Sequence, residues 1–328
     1  MSSTLGALRR RVLTPDVSET RLSVRGFHDK DPAARELLET VGGSFLAGFG
    51  HAAQARAPED ATAPLDGIPA PYRGFAYEGA GMAFAIRDAL PLGRRGRNAR
   101  FLSGAGAPHA YMVHVGAGWA MARVPRALWS RLALDDPLLR WLALDGYGFH
   151  QAYFHTERYV RERYREARFP WPGGPLSWYA DHVIDQGIGR ASWFVGGADP
   201  TVVADLIDSF AESRRGDLYA GAGLAATYAG GGDEAELREF AARAGDWAPQ
   251  LAQGSAFAAT ARVDAGLEVP HTSVATGVFC GITPREAKEL CDRTRPGPVA
   301  ELPERPGVPA YEVWRQRIAS AFGAGVSA

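Results

Sequence analysis

Asp199–Val263 reads DPTVVADLIDSFAESRRGDLYAGAGLAATYAGGGDEAELREFAARAGDWAPQLAQGSAFAATARV, and its punctuation decides the fold. Asp199 followed by Pro200 is an N-cap with proline at the first helical position, where the missing N–H has no role. The apolar spacing behind it predicts a helix over Asp199–Phe210. Gly216 is expected to break that helix, and Asp217–Ala229 follows as a helix of small residues, ended by Gly230-Gly231-Gly232. Asp233 with Glu236 three residues on is a capping box opening a third helix, Asp233–Ala244. Gly245 closes it, and Trp247–Val263 is again of the small-residue kind. Outer-type helices and Gly/Ala-rich helices therefore alternate.

The Gly-rich core recurs along the chain: GAGMAFAIR from Gly79, GAGWAMARV from Gly116, GYGFHQAYF from Gly146, GIGRASWFV from Gly187, GAGLAATYAG from Gly221 and GSAFAATAR from Gly254. A weaker copy, GSFLAGFGHA, starts at Gly43. Their spacing averages about 35 residues, the size of a two-helix repeat. Strand alternation is weak, and no Asn-Gly or Asp-Gly turn joins β-branched runs. The expected fold is all-α: repeated αα-hairpins forming a curved solenoid or a closed α/α arrangement. Glycine inside a helix costs about 1 kcal/mol against alanine, so its repetition implies close helix packing or room for a ligand. Residues 1–30 read as an extended N-terminal arm and 31–293 as one helical-repeat domain. Residues 294–328 read as a Pro-rich connector followed by a terminal helix over Tyr311–Phe322. RFPWPGGP, Arg168–Pro175, cannot be helix.

The whole chain is 328 residues with a formal net charge of −1, so it has no global basic field for nucleic acid. Only Lys30 and Lys288 are lysine among 36 basic residues, which reads first as coding bias. Cys280 and Cys291 complete neither a zinc pattern nor a disulfide framework, and a reducing cytoplasm fits them. The first residues lack the apolar core of a signal peptide. The longest apolar stretch, Ala110–Ala122, falls short of the ~18–20 residues a membrane span needs.

Gly221–Ala226 fits G-x-G-x-x-A, but a dinucleotide fingerprint needs a preceding strand, and the repetition argues for helix packing. His114, Asp145 and His150 lie in a polar-aromatic region, and with Glu78 they are candidate acid–base residues. The competing reading of each is a satisfied structural group. Arg123, Arg190 and Arg262 lie within the small-residue segments, where an arginine needs a carboxylate partner or an anionic ligand end. Trp119, Phe149, Tyr153, Trp193 and Tyr228 are expected to wall one apolar cavity. Asp181 and Asp185 share a helix face in DHVID and suit either Mg²⁺ or arginines. ERYVRERYRE, Glu157–Glu166, reads as an exposed charged face with Glu157/Arg161 and Arg158/Glu162 pairs. No cofactor or resident metal is assigned.

Long segments also resemble one family. RRRVLTPDVSETRLSVRGFHDKDPAARELLETVGGSFLAGF, PYRGFAYEGAGMAFAIRDAL, HAYMVHVGAGWAMARV, DPLLRWLALDGYGFHQAYFH, DQGIGRASWFVGG, RRGDLYAGAGLAATYAGG and QGSAFAATARVDAG carry the resemblance, which spans about Leu8 to Cys291. It is the DUF1702 family, which includes UnbL proteins of enediyne biosynthetic clusters. The resemblance implies action on a linear polyene, or its derivative, during formation of an enediyne core. It also implies association with an ASPIC/UnbV-type protein and a membrane protein of the same pathway. It carries no catalytic residue over. The expected roles are a cofactor-free or partner-dependent enzyme on a polyene, or a non-catalytic polyene-binding scaffold. A Mg²⁺-dependent terpene-type cyclase rests only on DHVID and the helical fold.

Overall fold

The structure is a computed structural model that describes residues 4–90, 95–132, 134–297 and 307–323. Among the described residues there is no strand, and the fold is all-α. In chain order the helices are α1 (Thr4–Leu13), α2 (Leu22–Arg25), α3 (Pro32–Gln54), α4 (Thr62–Asp66), α5 (Ala70–Ala89), α6 (Arg97–Leu102), α7 (Ala110–Arg123) and α8 (Leu142–Phe154). Then follow α9 (Ala180–Val195), α10 (Pro200–Asp208), α11 (Glu212–Ala229), α12 (Glu234–Ala244), α13 (Ala248–Asp264), α14 (Pro270–Cys280), α15 (Pro284–Thr294) and α16 (Ala310–Gly323).

The Gly-x-Gly motif has a geometric reason. Residues two apart on a helix point about 200° apart, so the two glycines open opposite faces. Each first glycine meets the preceding inner helix, and each second glycine meets the next. A Cβ on Gly221 of α11 would lie 1.9 Å from the Gln186 carbonyl oxygen of α9, and one on Gly223 would lie 2.3 Å from that of Leu251 on α13. Gly189 of α9 faces Leu218 of α11 in return, and Gly254 of α13 faces Ala220. The same reciprocal pairing joins α5 to α7 (Gly81, Gly116), α7 to α8 (Gly118, Gly146) and α8 to α9 (Gly148, Gly187). The α3–α5 seam uses Gly48 and Gly79. Gly48, rather than Gly43, is thus the counterpart of the other copies. Real Cβ atoms do not approach a carbonyl this closely, so these seams admit only glycine. The backbone contact offsets the helix propensity that glycine gives up.

A second regularity follows from the first. The residue before the first glycine and the residue after the second are four apart and share a face. Between the two seam faces, this face points inward. It carries Glu78 and Met82 on α5, Trp119 on α7, Asp145 and Phe149 on α8, Gln186 and Arg190 on α9, and Leu224 on α11. One turn later come Arg123, Tyr153, Phe194 and Tyr228. The inner face of α11 also meets that of α5 across the interior: the Tyr228 ring lies 5.0 Å from that of Phe75.

The caps read from sequence are present. Asp199 accepts from the Thr201 and Val202 amides with Pro200 behind it, and Asp233 forms a capping box with Glu236. Gly216, expected to end a helix, lies inside α11, where its bare face packs on the Trp247 ring. The N-terminal arm is helical rather than extended. It lies across helix C-termini and satisfies their free carbonyls. Arg9 donates to the Ala53, Gln54 and Ala55 carbonyls of α3, and Arg25 to those of Tyr153 and Phe154 of α8. Glu157–Arg161 is a single π-turn in which Arg161 pairs with Glu157 at 3.4 Å as expected, whereas the Arg158 guanidinium covers the Tyr164 ring instead of pairing with Glu162. Most of the expected Pro-rich connector, residues 298–306, lies outside the described residues. No helix among the described residues is long and apolar enough to cross a membrane.

The seams give a test with opposite signs. Gly221→Ala should lower unfolding free energy by about 1–3 kcal/mol, since α9 and α11 must separate. Gly43→Ala, in α3 with nothing within 4 Å of the added methyl group, should raise it by roughly 0.5–1 kcal/mol. Denaturant midpoints measure both, and two changes of the same sign would contradict the seam account.

Candidate functional site

The inward faces of α3, α5, α7, α8, α9 and α11 border a narrow cleft open to solvent, with about 70 Å³ of free volume. Its walls are mostly apolar and aromatic. Trp119 is the hub: its ring lies 4.4 Å from Phe45 and 5.1 Å from Phe149. Phe149 in turn lies 5.7 Å from Tyr153 and 5.3 Å from Phe194. Pro15, Glu19 and Thr20 of the N-terminal segment border the cleft, so the arm that caps α3 and α8 also shapes the opening.

Polar chemistry is concentrated at the buried end. Arg190 Nη2 lies 3.4 Å from Glu78 Oε1, and Arg190 Nε lies 3.1 Å from Asp145 Oδ1. Trp119 Nε1 donates to Glu78 Oε1 at 3.0 Å, and Gln186 Nε2 donates to Asp145 Oδ2 at 2.7 Å. Tyr311 of α16 donates to Gln186 Oε1 at 3.3 Å, which ties the C-terminal helix to the cluster. Two carboxylates thus face one guanidinium out of water. Burial raises the Glu78 pKa to about 7, with Asp145 adding to the rise and Arg190 opposing it. Burial also raises Asp145, against Arg190 and the Gln186 hydrogen bond. With its pKa near 7, Glu78, which lines the cleft, is close to half-protonated at neutral pH and can give or take a proton.

The expected residues divide clearly. Glu78, Trp119, Arg123, Phe149, His150, Tyr153, Arg190 and Tyr228 line the cleft. Asp145 lies behind that lining, against Arg190. His114 is elsewhere on α7: its Nδ1 bonds its own helix at the Ala110 carbonyl, 2.8 Å away. Arg262 caps α11, donating to the Tyr228 carbonyl at 2.5 Å and to Pro71 O at 2.9 Å. Trp193 points outward to Phe240 and donates to Gly230 O. None of these three lines the cleft, and each bonds a backbone carbonyl. Asp185 is held by Arg214 at 2.6 Å and Arg165 at 3.1 Å, and Asp181 lies 3.3 Å from Arg165. Among the described residues no group of His, Cys, Asp or Glu is arranged to hold a metal ion.

Phe45, Phe75, Met82 and Phe194 line the cleft without having been singled out, and Gln186 and Tyr311 join the buried cluster. The signal for several was present in the register. The position after each second glycine is Met82, Trp119, Phe149, Arg190 or Leu224, and all five reach the cleft.

Glu78 makes a pH test. Its folded pKa stands above the ordinary 4.5, so the native state keeps a proton that the unfolded chain loses between pH 4.5 and about 7. Stability from this group therefore falls as pH rises through that window. Glu78→Gln should lose less stability than the parent protein between pH 5 and 8, by on the order of 2–3 kcal/mol. Parallel stability–pH curves would show Glu78 to be an ordinary carboxylate.

The family model DUF1702, described as a protein of unknown function, matches residues 4–322. No curated protein and no solved structure matches the chain. The matched segment contains every helix that walls the cleft and the N-terminal segment that borders it, and the chain belongs to the DUF1702 family.

Proposed function

We propose that the protein binds a long, flat, apolar molecule in the aromatic cleft, and that this molecule is a linear polyene or its derivative on the way to an enediyne core. The observation that carries the reading is the continuous wall of Phe45, Trp119, Phe149, Tyr153 and Phe194, which presents ring faces and edges along one cleft. A conjugated chain is planar and poorly solvated, so such walls suit it. The resemblance to UnbL-type proteins supplies the pathway.

In this reading Glu78 is the proton donor or acceptor facing the ligand, and Arg190 and Asp145 set its charge. The reaction needs no resident cofactor in this account, and partner proteins of the pathway act beside it in the cytoplasm. A second role, holding and shielding the polyene without changing it, is favoured by the ion pairing of the buried end, where Arg190 is already engaged by two carboxylates. Asp181 and Asp185, the residues behind a Mg²⁺-cyclase reading, are engaged by arginines.

The test is titration of the purified protein with a linear conjugated polyene. Saturable quenching of tryptophan fluorescence and a shift of polyene absorption are expected. Ala225→Phe, which fills the cleft from α11, should weaken binding by about tenfold or more, equivalent to ~1.4 kcal/mol, with an unchanged circular dichroism spectrum. Absorption that then decays with time marks the enzyme, and a stable shifted spectrum marks the scaffold. Equal binding by the folded Ala225→Phe variant would overturn the cleft as the site.

A further inference from the structure

Four charged side chains line the cleft: Glu19, Glu78, Arg123 and Arg190. Glu19 pairs with Arg25 at 2.8 Å, and Glu78 pairs with Arg190. Arg123 is different. It ends α7 at the open side, is exposed, and makes no ion pair or side-chain hydrogen bond among the described residues.

His150 adds an independent observation. It is 3% exposed and lines the same cleft, and its Nε2 is buried without a partner among the described residues. The tautomer follows from its neighbour. Gln151 donates its Nε2 hydrogens to the Tyr147 and Tyr159 hydroxyls, both at 3.1 Å. That turns Gln151 Oε1 towards His150 Nδ1, 3.4 Å away, so Nδ1 carries the hydrogen. His150 Nε2 is then a bare lone pair facing the cleft. A buried acceptor without a donor is costly, and a ligand O–H relieves it.

From these two groups we infer that the ligand is a long unsaturated carboxylic acid, bound with its carboxyl end at the mouth between Arg123 and His150 and its hydrocarbon chain running inward along Trp119 and Phe149. One carboxyl oxygen accepts from the Arg123 guanidinium. The acid keeps its proton, and its O–H donates to His150 Nε2; the imidazole stays neutral because burial, with Arg123 adding to it, pushes the His150 pKa down to about 3. An acid head explains why one arginine at the cleft is left unpaired while the other is saturated. The inference rests on the reading of the cleft as an apolar binding site, and it assigns that site's specificity to its mouth.

Parinaric acid, a conjugated tetraene fatty acid whose fluorescence rises in apolar surroundings, and its methyl ester are the probes. The full-length protein should bind the acid more tightly than the ester by about fivefold, in the range of a charge-assisted contact at a partly exposed site. Arg123→Gln should remove that preference by weakening the acid alone, and Arg123→Lys should restore part of it. Equal affinity for acid and ester in the parent protein would overturn the carboxyl assignment while leaving the apolar cleft intact. So would an Arg123→Gln variant that weakens both ligands alike. Failure of both ligands to bind would contradict the cleft reading itself.

Discussion

Backbone contact between neighbouring helices is the constraint from which the rest of this structure follows. A carbonyl oxygen about 2 Å from where a Cβ would stand leaves no room for alanine. Helices α5, α7, α8, α9 and α11 must satisfy this on two sides, and a spacing of two residues is how a helix opens opposite faces. Once both flanks are fixed by glycine, only the faces between them remain free to vary. One such face points outward to the capped helices, and the other points inward. The inner side chains are thus set in register by the seams, and the aromatic residues that follow the second glycine converge without loops to place them.

Convergence also brings charge together. Glu78 and Asp145 occupy the same register position on α5 and α8, and Arg190 occupies the next inward position on α9. A buried guanidinium shared by two carboxylates is an unbalanced arrangement, and removing water from it raises both acids. A purely structural core would be served as well by apolar residues at these positions. Retaining ionisable groups beside an aromatic cleft places a proton where an apolar molecule would lie. The C-terminal helix is coupled to this point through Tyr311 and Gln186, so a segment remote in sequence helps orient the Asp145 carboxylate.

Much of the fold was legible because its signals are local. Asp199-Pro200 and the Asp233/Glu236 box act within one helical turn, and they form as the sequence implies. Glycine punctuation was ambiguous: Gly230 ends a helix, whereas Gly216 passes through one because Trp247, remote in sequence, covers it. The arm reads as extended in sequence, yet it is helical because Arg9 and Arg25 reach carbonyls of α3 and α8, contacts that no local pattern encodes. In the site, Trp119, Phe149 and Tyr153 were found from their place in the repeats. His114, Trp193 and Arg262 lie in the same kind of segment but turn to other faces, which only the seam register distinguishes. Gln186 escaped notice because a glutamine becomes informative only when Asp145 and Tyr311 are brought to either side of it.

The central claim is that the inward faces of the Gly-x-Gly helices form a site for a long apolar ligand. A crystal structure of the protein grown with a conjugated tetraene fatty acid tests it directly. The account predicts continuous density along Trp119 and Phe149, with the chain end near Glu78 and the carboxyl group beside Arg123. Density on the outer helices, or a cleft closed by its own side chains with the ligand elsewhere, would contradict it.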